Sequence, residues 1–527
     1  MSRISNIVAD YQILAPDDLN ELIFNSYRKS LGKETAERIS RQLENYEYYN
    51  GKQHRNAYGE LVKASEVERP PGLDYDPTRI DNNYFKAFID RKARWQMGGK
   101  HGIAVPRRQI DAVEDILSDN YVPSEEQRKE NERAEAYERL LYKLWDENRM
   151  RARLVQAARD RLIADRVVAK IVYNDRTGKL RWIFRPDSEY IPVYSEDDFE
   201  DLIACHFVKG VTVEINDEDV AAIQKQTFTL EDGKAYVEEA IYRESDLRLL
   251  ETIQEKTPLG LDFIPVQEFP VNELLTETIP QSEISALREQ NDVLNQLLED
   301  AVDAYKFDLF GIWTMTNVAP GSSEGVQIAP GALIEIQSQG DTKAADFKKV
   351  ESSFQYKDTF DTIFNRVKAT MHEISGLPQV VPQDLQTGGI NGDALQVLFH
   401  DIITDTEEHW LSWGYNLAEL HEKSIRYLQA RVSRRNFGYD KKAVLNIGDN
   451  YDNEMRFVLP LPDNRKELVE LLDLEVAAGF ESSKGAMERL GVENVQAKVQ
   501  EIESERSKRR GSSVVNYGEE VEEINGE

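Results

Sequence analysis

One stretch, Glu351 to Val432, most limits what this chain can fold into. Its first part carries Phe360, Ile363, Phe364, Val367, Met371 and Ile374 at the three-and-four spacing of one buried helix face. Gly376 reads as a left-handed stop, and Pro378 prevents continuation. After a loop, Leu377 to Gly392, a second helix is predicted from near Asn391. Its apolar seam runs through Leu395, Leu398, Ile402, Trp410, Trp413, Leu417, Leu420 and Leu428. At the helical rise it would be roughly 60 Å long, wider than a globular domain, with Gly414 as a place to bend.

The charges in this stretch are one-sided. Ala369 to Glu422 contains no Lys or Arg, yet holds Glu373, Asp384, Asp393, Asp401, Asp405, Glu407, Glu408, Glu419 and Glu422. A solvated acidic helix face is one reading, and a surface that repels a polyanion is the other. The whole chain is acidic, with net charge -31 over 527 residues, 40% apolar and 31% charged. That length and balance suit several domains, or an elongated subunit of an oligomer. Such a charge argues against sequence-reading DNA binding, which needs a basic footprint. The lone Cys205 rules out an intrachain disulfide. The start, MSRISNIVADYQ, has no apolar signal core, and no apolar run reaches the ~20 residues of a bilayer span. The expectation is a soluble protein made in the cytoplasm.

In chain order, helices are predicted over Asp17–Lys33 and Glu34–Tyr48, the latter stopped by Asn50-Gly51. Asp81 or Asn82 is expected to cap a helix facing inward with Phe85, Phe88, Ile89 and Trp95 and ending at Gly98-Gly99. A charged segment, Asn120–Asn148, is anchored by Leu140, Leu141, Leu144 and Trp145. A basic helix, Arg149–Arg166, follows, and its arginines either touch nucleic acid or, as preferred, pair with neighbouring acids. From Val167 the period becomes two. Strands are expected at 168–173, 180–185, 190–194, 203–208, 227–230 and 235–243, with Asp232-Gly233 turning the last pair. Phe263–Asn272 reads as an extended, proline-broken link. A helix then runs over Ser282–Phe310, its seam interrupted by Asn291. Strands at 312–316 and 332–336 follow. Past the long helix come a strand at Met455–Leu459, a helix capped by Asp463, a short helix from Ser482 or Ser483, a last helix to Arg510, and an acidic tail.

Catalytic signatures are missing. No G-x-x-x-x-G-K-[ST] and no H-E-x-x-H is present. His400 and His409 stand on different turns, and Cys205 and His206, adjacent in a strand, point to opposite faces. Asp401 and Asp405 could in principle serve as acid and base, but so acidic a chain produces such pairs by chance. The expectation is no enzyme, no cofactor and no metal.

Several local patterns, taken in order, resemble the portal proteins of tailed bacteriophages, in the branch typical of long non-contractile tails. They are YYNGK at Tyr48–Lys52, DNNYFKAFIDRKARWQMGGK at Asp81–Lys100, and IPVQEFPVN at Ile264–Asn272 leading into SEISALREQNDVLNQL from Ser282. The best of them is SGLPQVVPQDLQTGGINGDALQVLF at Ser375–Phe399, a Gly-x-Pro, a loop, and a Gly-x-Ala-Leu opening a long helix. Gln379–Gln386 departs from the family in carrying no basic residue, and Asn120–Arg139 looks like an insertion.

The resemblance implies an α+β, elongated, mainly helical subunit that assembles into a ring of about twelve copies. It divides the chain into a wing with a β-rich unit (1–281), a stem helix (282–310), a clip (311–350) and a second stem helix (351–376). A tunnel loop (377–392), a long helix returning to the wing (393–462), a helical crown (463–510) and an acidic disordered tail (511–527) complete it. It implies a DNA channel at one capsid vertex, used in packaging, head-tail joining and ejection. The partners implied are double-stranded DNA, the terminase large subunit, the major capsid or scaffold protein and a head-completion adaptor, with no membrane; the implied location is the virion. The expected channel residues are Val380, Val381, Gln383, Asp384, Gln386 and Asp393, with Glu373, Asp401 and Asp405 as channel acids. Lys343, Lys348, Lys349 and Lys357 are candidates for weak basic contacts in stem or clip. Another oligomeric assembly or scaffold protein is the alternative, ahead of an acidic-cleft hydrolase.

Overall fold

A computed structural model describes residues 7–8, 33–52, 78–112, 122–195, 198, 200–215, 218–271, 285–310, 312–317, 346–350, 356–379, 397–459 and 465–492, together with 495, 498–499, 501–502 and 504–505. The predicted Asp17–Lys33 helix, the 332–336 strand, the tail and nearly all of the tunnel loop lie outside these residues.

The architecture is mixed helix and sheet. Its centre is a three-stranded antiparallel sheet in the order β10 (Val266–Pro270), β3 (Arg166–Asn174), β4 (Lys179–Pro186). β3 is buried on both faces. Val167, Ala169 and Ile171 join the main core, while Val168 joins a second cluster with Cys205, Phe207, Phe228 and Val266. A strand covered on both sides needs a continuous apolar run, which explains the Val167-Val168-Ala169 sequence. One cover is helical: α1 (Lys33–Asn50), α2 (Tyr84–Met97), α3 (Glu125–Asn148), α4 (Met150–Ala164) and the long α7 (His400–Arg431). The other is a six-stranded antiparallel sheet of β1 (Ile7–Val8), β5 (Tyr190–Tyr194), β6 (Leu202–Ile215), β7 (Glu218–Glu231), β8 (Lys234–Arg243) and β9 (Leu249–Pro258).

The predicted strands that fall among the described residues are present, several of them longer than expected. The Asp232-Gly233 turn has positive φ at both residues, 48° and 70°, which suits a tight hairpin. Three expectations are corrected. Phe263–Asn272 is not only a link: Val266–Pro270 pairs with β3 along its buried edge, and its prolines sit at the ends, where no ladder N–H is lost. β9 was not foreseen, because its exposed, charged sequence shows no apolar alternation. The basic helix stops at Ala164, so Arg166 belongs to β3.

Elsewhere, α5 (Ala286–Phe310) packs along α6 (Tyr356–Ser375), and β11 (Ile312–Thr316) pairs antiparallel with β12 (Asp346–Val350). α7 runs without a break through Gly414. The helix α8 (Lys441–Asn446) leads to β13 (Glu454–Phe457), which pairs with β2 (His101–Ala104), and α9 (Arg465–Ala477) packs on α10 (Ser483–Arg489). Gly178 permits a close backbone crossing. At φ +68° its carbonyl accepts from the Gly438 amide at 3.0 Å, and a Cβ there would overlap the Asn436 carbonyl.

Candidate functional site

The site begins with Asn83. It, rather than Asp81 or Asn82, is the N-cap of α2: its Oδ1 accepts from the Lys86 amide at 2.8 Å. Its Nδ2 donates to the carbonyls of Tyr48 and Tyr49, each at 2.9 Å, so one side chain also closes the C-terminus of α1. Gly51, at φ +65°, takes the left-handed position after that helix. Tyr48 and Tyr49 donate their hydroxyls to Asp292 at 2.6 Å and Asp90 at 2.9 Å. The Tyr48–Lys52 and Asp81–Lys100 motifs are therefore two halves of one joint.

The third part is α5. Four polar side chains on one stripe of it receive the backbone of the segment preceding α2. Asp303 accepts from the Thr78 amide at 2.9 Å, Glu299 from Ile80 at 3.0 Å, Asn295 from Asn82 at 2.9 Å, and Asn291 from Tyr84 at 3.1 Å. The match is metric. Four helical residues rise ~6.0 Å, and two extended residues span ~6.6 Å. The helix thus acts as a strand edge for an antiparallel extended chain. Asn291, fully buried, also accepts from the Phe85 amide at 3.3 Å. The break it makes in the apolar seam supplies orphan amides of α2 with an acceptor.

α2 in turn holds both flanks of the segment between α6 and α7. On one side Gly376, at φ +67°, ends α6, and buried Leu377 returns its carbonyl to His372 Nδ1 at 2.9 Å. The His372 ring packs edge-on to Phe88, 4.9 Å between centroids. On the other side Phe399 lies on Trp95 at 5.3 Å, Asp405 pairs with Lys92 at 2.9 Å, and Trp410 Nε1 donates to the Gln96 carbonyl at 2.7 Å. Residues 88, 92 and 95 share one face of α2, so a single helix fixes where the loop leaves and where it returns.

Of the expected channel acids, Glu373 and Asp401 are exposed, in the last turn of α6 and the first turn of α7. Asp405 is held in the clasp, where Lys92, 5% exposed, offsets its charge. Val380, Val381, Gln383, Asp384, Gln386, Asp393 and Lys343 fall outside the described residues. Lys348 and Lys349 lie in β12, opposite Thr314 and Trp313, and Lys357 opens α6. Lys92, Phe88 and Trp95 were not singled out as site residues in the sequence. Their signal is a lysine between two aromatics at helical spacing.

The basic helix divides its arginines. Arg159 pairs with Asp90 at 2.7 Å, and buried Arg161 donates to Ser412 at 2.9 Å and lies over the Trp413 ring. Arg166 reaches Asp187 at 2.6 Å. The expected pairing with acids thus accounts for Arg159 and Arg166, while a hydroxyl, the Pro270 carbonyl and a ring hold Arg161.

Cys205 is buried among apolar neighbours, and burial pushes its thiol pKa up, as expected of a small core residue. No group of three or more His, Cys, Asp and Glu suited to a metal occurs among the described residues. Among the described residues no helix is long and apolar enough to cross a membrane.

Among known proteins, no curated sequence matches. Two solved structures are similar over much of the chain. The neck of an empty gene transfer agent particle shows 12% identity over 77% of this chain and 89% of that one, with a TM-score of 0.34. The virion of a native gene transfer agent particle shows 13% identity over 65% and 79%, with a TM-score of 0.28. The sequence model of the family described as phage portal protein, SPP1 Gp6-like, matches residues 29–511. That span includes the α1–α2–α5 joint and both flanks of the loop, and the chain belongs to this family of phage portal proteins.

Proposed function

We propose that this portal protein forms a ring around a DNA channel at one capsid vertex, with residues 377–392 as the loop facing the DNA. The portal role itself, a structural part of the virion rather than an enzyme, follows from the family. The observation that carries the channel reading is the clasp on α2. It fixes both ends of a long loop within one helix length while the acids bordering that loop, Glu373 and Asp401, face outward. α5 and α6 serve as the stem, β11–β12 as part of the clip, residues 463–510 as the crown, and the sheets with their helices as the wing. Asp384 and Asp393, with Glu373 and Asp401, are repeated around the ring as bands of negative charge that keep phosphates from adhering. Lys348, Lys349 and Lys357 offer sparse basic contacts lower in the channel. DNA is driven through by a terminase motor, and an adaptor and the capsid hold the two ends.

Negative-stain electron microscopy of the purified chain tests the architecture. Rings with open centres, about twelve-fold in top view, are expected. A uniform population of compact monomers at low and high salt would overturn the reading.

A further inference from the structure

The arginines left over from the pairing described above form a cluster of their own. Arg149 sits at the α3–α4 junction with φ 53°, Arg153 lies on the next turn, and Arg181 is on β4. No carboxylate is within ion-pair distance of these three among the described residues. Arg149 and Arg181 instead lower the pKa of Arg153 by repulsion, after desolvation. Arg181 and Arg153 donate to the carbonyls of Glu147 and Trp182, so three cations stand together without a carboxylate in a chain of net charge -31, a local basic patch on an acidic subunit. β4 shows which way the cluster faces. Leu180 and Trp182 point into the core, with Trp182 Nε1 donating to Ser424 of α7 at 2.8 Å. Arg181 and Ile183 alternate with them and lie on the opposite face, where Ile183 and Val172 are each 36% exposed.

α7 carries the complementary surface on its outer side. Leu411 and Tyr415, one helical turn apart, are 78% and 70% exposed, the largest apolar exposures on that helix. Glu407 and Glu408 stand exposed at one end of this pair; at the other, half-buried Glu419 and Glu422 raise the Tyr415 pKa while pairing within the chain with Lys423 at 3.0 Å and Arg426 at 3.2 Å. Exposed apolar anchors ringed by charge have the anatomy of an interface core and rim.

We propose that the Arg149–Arg153–Arg181 patch of one subunit docks on the Leu411–Tyr415 stripe of a second copy. Ile183 and Val172 would meet the apolar anchors while the arginines meet the glutamates. The two patches are different surfaces of one subunit, so a contact between them repeats head-to-tail, the kind that closes rings. Opposite charge sets its register and orientation. The inference rests on the ring reading and names the surfaces that join its subunits.

Charge reversal tests it with the full chain. R149E/R181E and E407R/E408R are each expected to lose rings in electron microscopy and mass photometry. An equimolar mixture of the two variants should recover rings, because each reversed face then meets its opposite. The chain carrying all four substitutions should recover them alone. Recovery also shows that both variants fold. Rings persisting in both variants would overturn the interface and leave the ring standing; monomers in the unsubstituted protein would overturn both. Unchanged rings together with weaker retention of duplex DNA by R149E/R181E at low salt would assign the patch to DNA instead.

Discussion

Two single residues show how the core specifies one arrangement. His421 is fully buried, and its tautomer follows from its partners. Trp145 Nε1 can only donate, so His421 Nε2 accepts at 2.7 Å, and Nδ1 carries the proton toward Asn453 Oδ1, also at 2.7 Å. The Asn453 Nδ2 group donates to the Ala418 and Tyr451 carbonyls, which fixes its oxygen toward the ring. A second proton on His421 has no acceptor there, and burial brings its pKa down to about 4. The folded pKa lies below the unfolded value of 6.5, so the unfolded chain binds more protons between them, and stability falls as pH drops through that window. His101, also brought down to about 4 by burial, acts in the same direction. Asp160, raised to about 6 by burial, acts oppositely. The difference between variants isolates one of them: the drop in Tm from pH 7 to pH 5 should be smaller in H421Q than in the unsubstituted protein, and equal drops would contradict the assignment. Lys92 is the other case. Its side chain is 5% exposed, whereas Asp405 keeps 27% of its side chain in solvent. Removing one partner strands a charge that is only partly hydrated. K92A should therefore cost about 2 kcal/mol, below the 3–5 of a fully buried pair, and K92M/D405L should recover most of it in denaturant titrations.

At the level of elements, polar side chains on a helix replace what a strand would supply. Asn291 accepts from two amides of α2, that of Phe85 at 3.3 Å and that of Tyr84 at 3.1 Å, the latter shared with the Asn82 carbonyl at 3.0 Å. N291L keeps the volume and improves the apolar seam, which by seam logic should stabilise. The expected outcome is the reverse, a loss of ~1–3 kcal/mol with faster hydrogen exchange at the Phe85 amide, which loses its acceptor, more than at Tyr84, which keeps the Asn82 carbonyl. Unchanged exchange would show that water replaces the side chain. The same residue shows what was readable beforehand. Periodicity exposed the helix around Asn291 and the hairpin strands, since those patterns depend on neighbours in sequence. What Asn291 bonds to depends on residues more than two hundred positions away, which no local pattern contains. The cap on α2 was placed at Asp81 or Asn82 because all three adjacent residues can cap. The choice of Asn83 follows from α1 ending beside it. β9 and β10 were missed or underread for a related reason. An exposed edge and a twice-covered edge both lack the alternation of a half-buried strand. The acidic half of the candidate site is readable only as a run without Lys or Arg, while the clasp that flanks it, Phe88, Lys92 and Trp95, reads as an ordinary amphipathic face.

For the whole molecule the decisive quantity is charge. A subunit of net charge -31 resists assembling with copies of itself unless its charges are arranged, and it resists DNA everywhere that they are not. The proposed ring uses both properties. In that proposal subunits would meet where α4 and β4 present arginine to the acids of α7, and the segment between α6 and α7 would keep its acids for the channel. A motor-driven polyanion moves fastest through a passage that neither grips nor blocks it. Each phosphate paired with a lysine releases counterions, and the resulting adhesion falls steeply with salt. D384K/D393K would place such pairs in the loop of every subunit. Rings should still form, since neither residue belongs to the proposed subunit contact, but DNA packaging should slow at low salt and recover as salt rises. That salt-dependent recovery separates adhesion from misfolding, because a misfolded loop would slow packaging at every salt concentration. Packaging at the unsubstituted rate at low salt would remove the electrostatic role from the loop, and with it the reason for a stretch of more than fifty residues without a single Lys or Arg.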